Sequence, residues 1–163
     1  MTADDLTAVE GWIAPLIAQL KPGARKRLSV KLGQLLRRTN AARIAANVQP
    51  DGSAMEPRKP RKPRRADAKT GRIKKKGKMF RKIAKAKALK VRPDPDGVEV
   101  RFANPLIERA AAEHHFGLTG RVGRTPAGKT IRTRYAERRL LGFGRTDPDD
   151  VMDLVLDHLI NNN

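Results

Sequence analysis

The chain has 163 residues and no cysteine. That excludes a disulfide framework, a thiolate metal site and a cysteine nucleophile, and it fits a reducing compartment. Aromatic residues are scarce, with one Trp, one Tyr and four Phe. The core must therefore be aliphatic, and apart from Phe80 the basic part of the chain has no aromatic on which unpaired bases would stack. No apolar run approaches the roughly 18 residues that suggest a membrane span. The opening residues, MTADDLTAVEGW, are acidic, the wrong sign for a secretory leader. Together these absences predict a soluble intracellular chain with no membrane partner, and the length fits a single domain over 1–163.

Acids are scarce too, but only locally. From Arg58 to Arg92 there are eighteen Lys or Arg and one acid, Asp67, a net of +17 in a chain of net +19. The protein is thus a nearly neutral body with one very basic band, unlike a uniformly basic nucleic-acid coat. Pro57, Pro60 and Pro63 recur every third residue, the polyproline II period, which sets Arg58, Lys59, Arg61 and Lys62 on the other two edges. Such a segment cannot bury a core, so 53–76 is expected to be an extended or disordered arm. Its candidate contacts to DNA or to an acidic partner are Arg58, Lys59, Arg61, Lys62, Arg64, Arg65, Lys74, Lys75 and Lys76. Two readings stay open. Neutralised phosphates would give sequence-independent binding that weakens steeply between about 50 and 200 mM salt. A solvated arm would instead dock on an acidic protein or keep the chain soluble.

Around the band the pattern is α+β. Leu6, Val9, Ile13, Leu16, Ile17 and Leu20 form one helical stripe, with Asp4 and Asp5 in the first turn and Pro15 as a kink. A second stripe runs through Leu28, Leu32, Leu35, Leu36 and Ile44, with Pro22 in its first turn, and QPDGS stops it. These two helices read as a hairpin joined at KPG. KMFRKIAKAKAL is expected to regain a helical face through Met79, Phe80 and Ile83. A small antiparallel sheet is expected around a β-hairpin at about 88–103, where Val98, Val100 and Phe102 alternate with polar residues beyond a Pro/Asp/Gly turn. NPLIERAAAEHHFG reads as a helix with Asn104 as N-cap, Pro105 next and Gly117 past its end. A flexible Gly-, Arg- and Thr-rich loop is expected at 118–133, and a capped helix at TDPDDVMDLVLDHLI, with Thr146 or Asp147 as cap.

Three patterns invite a catalytic reading. Gly123 to Thr130, GRTPAGKT, matches the phosphate-binding loop G-x-x-x-x-G-K-[ST]. Its context fails, because no apolar strand enters it and none follows to supply a metal-binding Asp. His114 and His115 are adjacent, so on a helix they point about 100° apart and do not chelate one ion. His158 lies in the last helical turn, where a cation suits the dipole. Asp147, Asp149 and Asp150 are accounted for by helix capping, and Asp94 and Asp96 by the turn. No catalytic residue, cofactor or metal site is expected.

The order of the pieces is more distinctive than any one of them. After the helical pair come RIAANVQPDGSAMEPRK, a basic linker, GKMFRKIAKAKALKVRPDPDGVEVRF, AEHHFG, a variable loop and YAERRLLGFGRTDPDDVMDLVLDHL. This set resembles the phage virion morphogenesis family, the tail completion proteins of contractile-tailed temperate phages, over nearly the whole chain. The matching elements are Pro50-Asp51-Gly52, Pro57-Arg58, Met79 to Lys82, Leu89 to Arg92 with Val98 to Val100, His114 with Phe116 and Gly117, and Leu140-Leu141-Gly142. The chain departs from the family's usual pattern at Met55, where Trp is common, and at Ala136 and Arg139, where prolines are. The resemblance implies a structural protein rather than an enzyme, one that finishes the head-proximal end of the tail and joins it to the head. It implies a ring homo-oligomer, a hexamer, around the DNA channel, in the virion after assembly in the host cytoplasm. Tail tube and neck or connector proteins would be its partners, with genomic DNA in the lumen. The loop at 118–133, through Arg121, Arg124, Lys129, Arg132 and Arg134, is the candidate assembly contact. Read from charge alone, the chain could instead be a small nucleic-acid-binding protein acting through 58–92.

Overall fold

The computed structural model describes residues 11, 14, 15, 17–58, 79–94 and 97–161. Its elements are α1 (Pro22–Ala46), β1 (Leu89–Asp94), β2 (Gly97–Phe102), α2 (Pro105–His115), β3 (Thr119–Arg124), β4 (Thr130–Arg134) and α3 (Asp147–Asn161). The class is α+β, with helices at both ends of the order and two small antiparallel sheets between them. Of the first expected helix, residues 11, 14, 15 and 17–19 are helical, and the rest lies outside the described residues.

Helix α1 begins at Lys21 with Pro22 at its first position, where proline's missing N–H costs nothing. It ends at Asn47 in the left-handed conformation, followed by the turn in which Asp51 Oδ1 accepts from Ser53 N at 2.8 Å. One stripe of α1, Ala24 and Leu28, packs with Leu20 and with Val155 of α3. A second core joins Ile44, Met55, Met79, Ala111 and Leu140. Met55 is thus a core residue. Each fully buried aliphatic side chain such as Ile44 contributes about 1.5–3 kcal/mol.

The β1–β2 hairpin lies where expected, and its register pairs Leu89 with Phe102, Val91 with Val100 and Pro93 with Val98. Its apolar face turns toward α1. At Gly33 the approach is so close that a Cβ would collide with the side chains of Val91 and Val98. Ser29 Oγ, one turn earlier, donates to the Asp94 carbonyl at 2.8 Å. The residues leading into β1 differ from the expected helix. They form a run of turns closed by bonds such as Ala84 N to Phe80 O at 3.1 Å, and Phe80 itself sits at φ 59°. Seating both Met79 and Phe80 in the second core takes precedence over helix propensity there.

The segment at 118–133 also differs from the expected loop: it is a second hairpin, β3–β4, with a bulge between Arg121 and Gly123. Its strand formers, Thr119, Val122, Thr130, Ile131 and Thr133, are interleaved with Gly and Arg, which hides the alternation. The Thr125-to-Lys129 turn is closed by Thr125 N to Lys129 O at 2.8 Å, with Gly128 at φ 79°. The GRTPAGKT stretch is therefore a strand–turn–strand, not the loop-into-helix that phosphate binding requires.

Candidate assembly interface

Successive strand residues alternate between faces, and directly opposed residues share one. The register opposes Arg121 to Arg132, Thr119 to Arg134 and Arg124 to Thr130. Arg121, Arg124, Arg132 and Arg134 therefore lie on one face of the β3–β4 hairpin, all exposed. Lys129 is exposed in the turn. No acid occurs between Leu118 and Ala136. The opposite face is covered at its Gly120 end, while Gly123 and Ile131 on it stay open. A Cβ at Gly120 would strike the Glu113 carboxylate and crowd the Tyr135 ring, so this strand lies directly against the end of α2. All five residues of the expected assembly loop thus belong to one small sheet, four of them on its open face. The bulge and the Arg121–Arg132 opposition were the features hidden in the sequence.

Of the expected arm contacts, Arg58 is described and exposed, while Lys59, Arg61, Lys62, Arg64, Arg65, Lys74, Lys75 and Lys76 lie outside the described residues. The flanks of the basic stretch are well placed, however. Arg138 is only 5% exposed. Its Nε donates to the Glu56 carbonyl at 2.6 Å and its Nη2 to the Pro57 carbonyl at 3.1 Å. Its Nη1 faces His114 Nδ1 at 3.4 Å. Phe80 makes an edge contact with the His114 ring, centroids 4.9 Å apart, and Tyr135 packs on it at 4.2 Å. Pro57 thus meets Arg138 and Phe80 meets His114, and those two side chains face each other, which brings the two described flanks of the basic stretch close together. Nothing in YAERRLL distinguishes Arg138, the buried anchor, from Arg139, which is exposed.

Each histidine makes a bond within the fold. Arginine offers only donors, so His114 Nδ1 is the acceptor and the imidazole is neutral. Burial first, then the nearby Arg138 charge, lowers the pKa of His114. His115 Nδ1 accepts from Leu140 N at 3.2 Å, and burial followed by Arg139 lowers its pKa likewise. His158 is fully buried, and its Nε2 donates to the Ala24 carbonyl at 2.9 Å, tying α3 to α1. Among the described residues no group of three His, Asp or Glu could hold a metal ion. Nor, among them, is any helix long and apolar enough to cross a membrane.

Asp147 is a tie rather than a cap. It is 2% exposed, and its Oδ2 accepts from Gly144 N and from Arg43 Nη1, both at 2.8 Å. Arg43 Nη2 also donates to the Gly142 carbonyl at 2.6 Å, and Asn40 Oδ1 accepts from Gly142 N at 3.1 Å. The LLG element preceding α3 is thereby bolted to α1. The first helical bond runs from Asp150 N to Thr146 O, so Thr146 supplies the cap through its backbone.

Comparison with known proteins agrees with this set of elements. A model of the phage virion morphogenesis family matches residues 4–160. Tail completion protein S of Escherichia phage P2 is 34% identical over 150 residues, covering 92% of this chain and 94% of that protein. No solved structure matches.

Proposed function

The chain belongs to the phage virion morphogenesis family, and from that premise we propose that it completes the head-proximal end of a contractile phage tail and takes part in joining tail to head. It works there as a ring, a hexamer, around the DNA channel, contacting the tail tube and a neck or connector protein. The observation that carries this reading is the match along nearly the whole chain to a tail completion protein, not to a fragment of one. The role is structural rather than catalytic. The phosphate-loop pattern lies in a hairpin turn, and both neighbouring histidines spend their Nδ1 atoms inside the fold. The protein resides in the virion at the head–tail junction and in the host cytoplasm while tails are built.

The described flanks of the basic stretch, Pro57 and Phe80, are held at the Arg138–His114 pair, which suits a device reaching toward a neighbouring virion component, including DNA in the lumen. Twenty residues separate Arg58 from Met79; out and back, at about 3.3–3.6 Å per residue, such a length reaches on the order of 30 Å. The test of the function is removal of the gene from a producing phage. Tails without finished ends and unjoined heads are expected, with normal titre restored by supplying the protein. Particles that assemble and infect normally without it would overturn the reading.

The net charge of +17 in 58–92 supports a second reading, sequence-independent nucleic-acid binding. It predicts that log affinity falls linearly with log salt, and that deletion of 57–76 abolishes binding. An affinity unchanged by that deletion would remove it.

A further inference from the structure

We propose that the arginine face of the β3–β4 hairpin docks on the outer, aspartate-lined face of α3 in a second copy of this chain. The proposal rests on the ring reading and names the surfaces that would make the repeated contact.

The hairpin is unfinished by itself. A two-stranded sheet is marginally stable alone, and like charges directly opposite across strands destabilise it. Arg121 opposes Arg132 with Arg134 and Arg124 on the same face, and the strands carry no acid. An anionic surface laid on this face would relieve that repulsion.

Helix α3 presents such a surface. Its inner side, with Val155 and His158 buried, packs on α1. Its outer side shows Asp149, Asp150, Asp153 and Asp157, all exposed, beside Leu156 and Ile160, the latter 78% exposed. Asp149 and Asp150 sit in the first turn, where the helix dipole explains them. Asp153 and Asp157 lie further along, where the dipole gives acids no benefit and toward the C-terminus disfavours them. Asp157 Oδ1 accepts from Asn161 Nδ2 at 2.8 Å, which leaves Asp153 and the rest of this carboxylate face open to a cationic partner.

The spacings agree. Asp153 and Asp157, four residues apart on a helix, are separated by about 6 Å along its axis. Arg132 and Arg134, two apart on a strand, are separated by about 6.7 Å. Two adjacent guanidinium–carboxylate pairs, a geometry arginine favours, can therefore form at once. Exposed apolar area flanks the charges on both sides, Leu118 and Val122 at the hairpin and Leu156 and Ile160 on the helix. Within one subunit the hairpin packs on α2 and α3 packs on α1. The two faces are thus offered separately, and pairing them between copies is heterologous, the kind of contact that closes a ring when its rotation permits. Phosphates could satisfy the arginines equally well, but they would not use the exposed carboxylates of α3.

The absence of cysteine makes a direct test clean. A full-length chain carrying Arg132→Cys and Asp153→Cys is assembled into particles and treated with a short bis-maleimide, which spans the Arg–Asp gap that a disulfide cannot. The expected result is a ladder of covalent multimers in steps of one subunit. Wild-type particles are treated in parallel with a lysine-reactive cross-linker. Multimers from the lysine reagent with only monomers from the bis-maleimide would overturn the docking surfaces and leave the ring standing. Monomers from both would overturn the ring itself. Photo-cross-linking of the hairpin to packaged DNA without a ladder would assign the arginines to phosphate and overturn the proposal. Folding is controlled by charge exchange. Arg132→Asp with Arg134→Asp is expected to lower the titre about tenfold or more, the loss of one modest contact. Adding Asp153→Arg and Asp157→Arg to the same chain is expected to restore it. A combined variant as impaired as the first would contradict the proposed contact.

Discussion

The two hairpins are nearly equal in length and opposite in character. β1–β2 is closed over by α1, with Leu89 fully buried and Gly33 admitting Val91 and Val98 at close range. β3–β4 touches the body only along one face, through Gly120 against Glu113 and Tyr135, and turns four arginines outward. The first hairpin is stabilised by what the subunit itself supplies. The second carries a charge pattern that the subunit does not neutralise. The contrast teaches that similar backbone pieces can divide the work, one making the fold and the other being offered to a partner.

The largest effect should come from emptying the covered hairpin. Leu89→Ala removes a fully buried side chain and is expected to cost about 2–5 kcal/mol, lowering Tm by roughly 10 °C. Val122→Ala in the open hairpin should stay within about 0.5 kcal/mol. Equal losses in thermal unfolding would erase the distinction between the two. Next comes the bolt joining α1 to the start of α3. Asp147→Ala strands Arg43 and the Gly144 amide, and a loss of about 3 kcal/mol is expected in urea unfolding. A midpoint within error of wild type would mean that the pair does not hold the LLG element.

Acid should act next, on the packed side of the molecule. Burial lowers the pKa of both His114 and His115 below the ordinary value of 6.5. Between the folded and unfolded values the unfolded chain binds more protons, so stability is complete above the unfolded value and falls as pH drops below it. Tm is therefore expected to decline from pH 7 toward about 5, and less so in His114→Gln. A flat profile over that range would contradict neutral imidazoles at these positions. The smallest effect has the opposite sign. Arg121→Thr removes the opposed arginines and should raise the isolated subunit's stability by a few tenths of a kcal/mol, while lowering incorporation into particles. A variant that is both less stable and fully incorporated would show that the arginine face serves the fold.

Much of this was legible beforehand, for reasons that can be named. Asn104, Pro105 and Gly117 mark α2 because capping is local chemistry, and the Asn104 Oδ1 bond to Ile107 N at 3.0 Å is what they promised. The alternation Val98, Val100, Phe102 identified β2 because one face of it is covered. The second hairpin escaped because neither of its faces carries a continuous apolar stripe, and alternation of Arg with Gly and Thr leaves no hydrophobic period to see. Met79 and Phe80 leave the helical pattern for a core formed by distant residues, Ile44, Ala111 and Leu140. Arg138 and the Arg43–Asp147 pair were invisible for the same cause, since their partners lie 82 and 104 positions away.

The central claim is the place of this protein in the virion. Immunoelectron microscopy of particles, with an antibody raised against this chain, tests it directly. Label is expected at the junction of head and tail, and at the upper end of free tails. Unlabelled particles, with the protein left in the soluble fraction of the lysate, would contradict it.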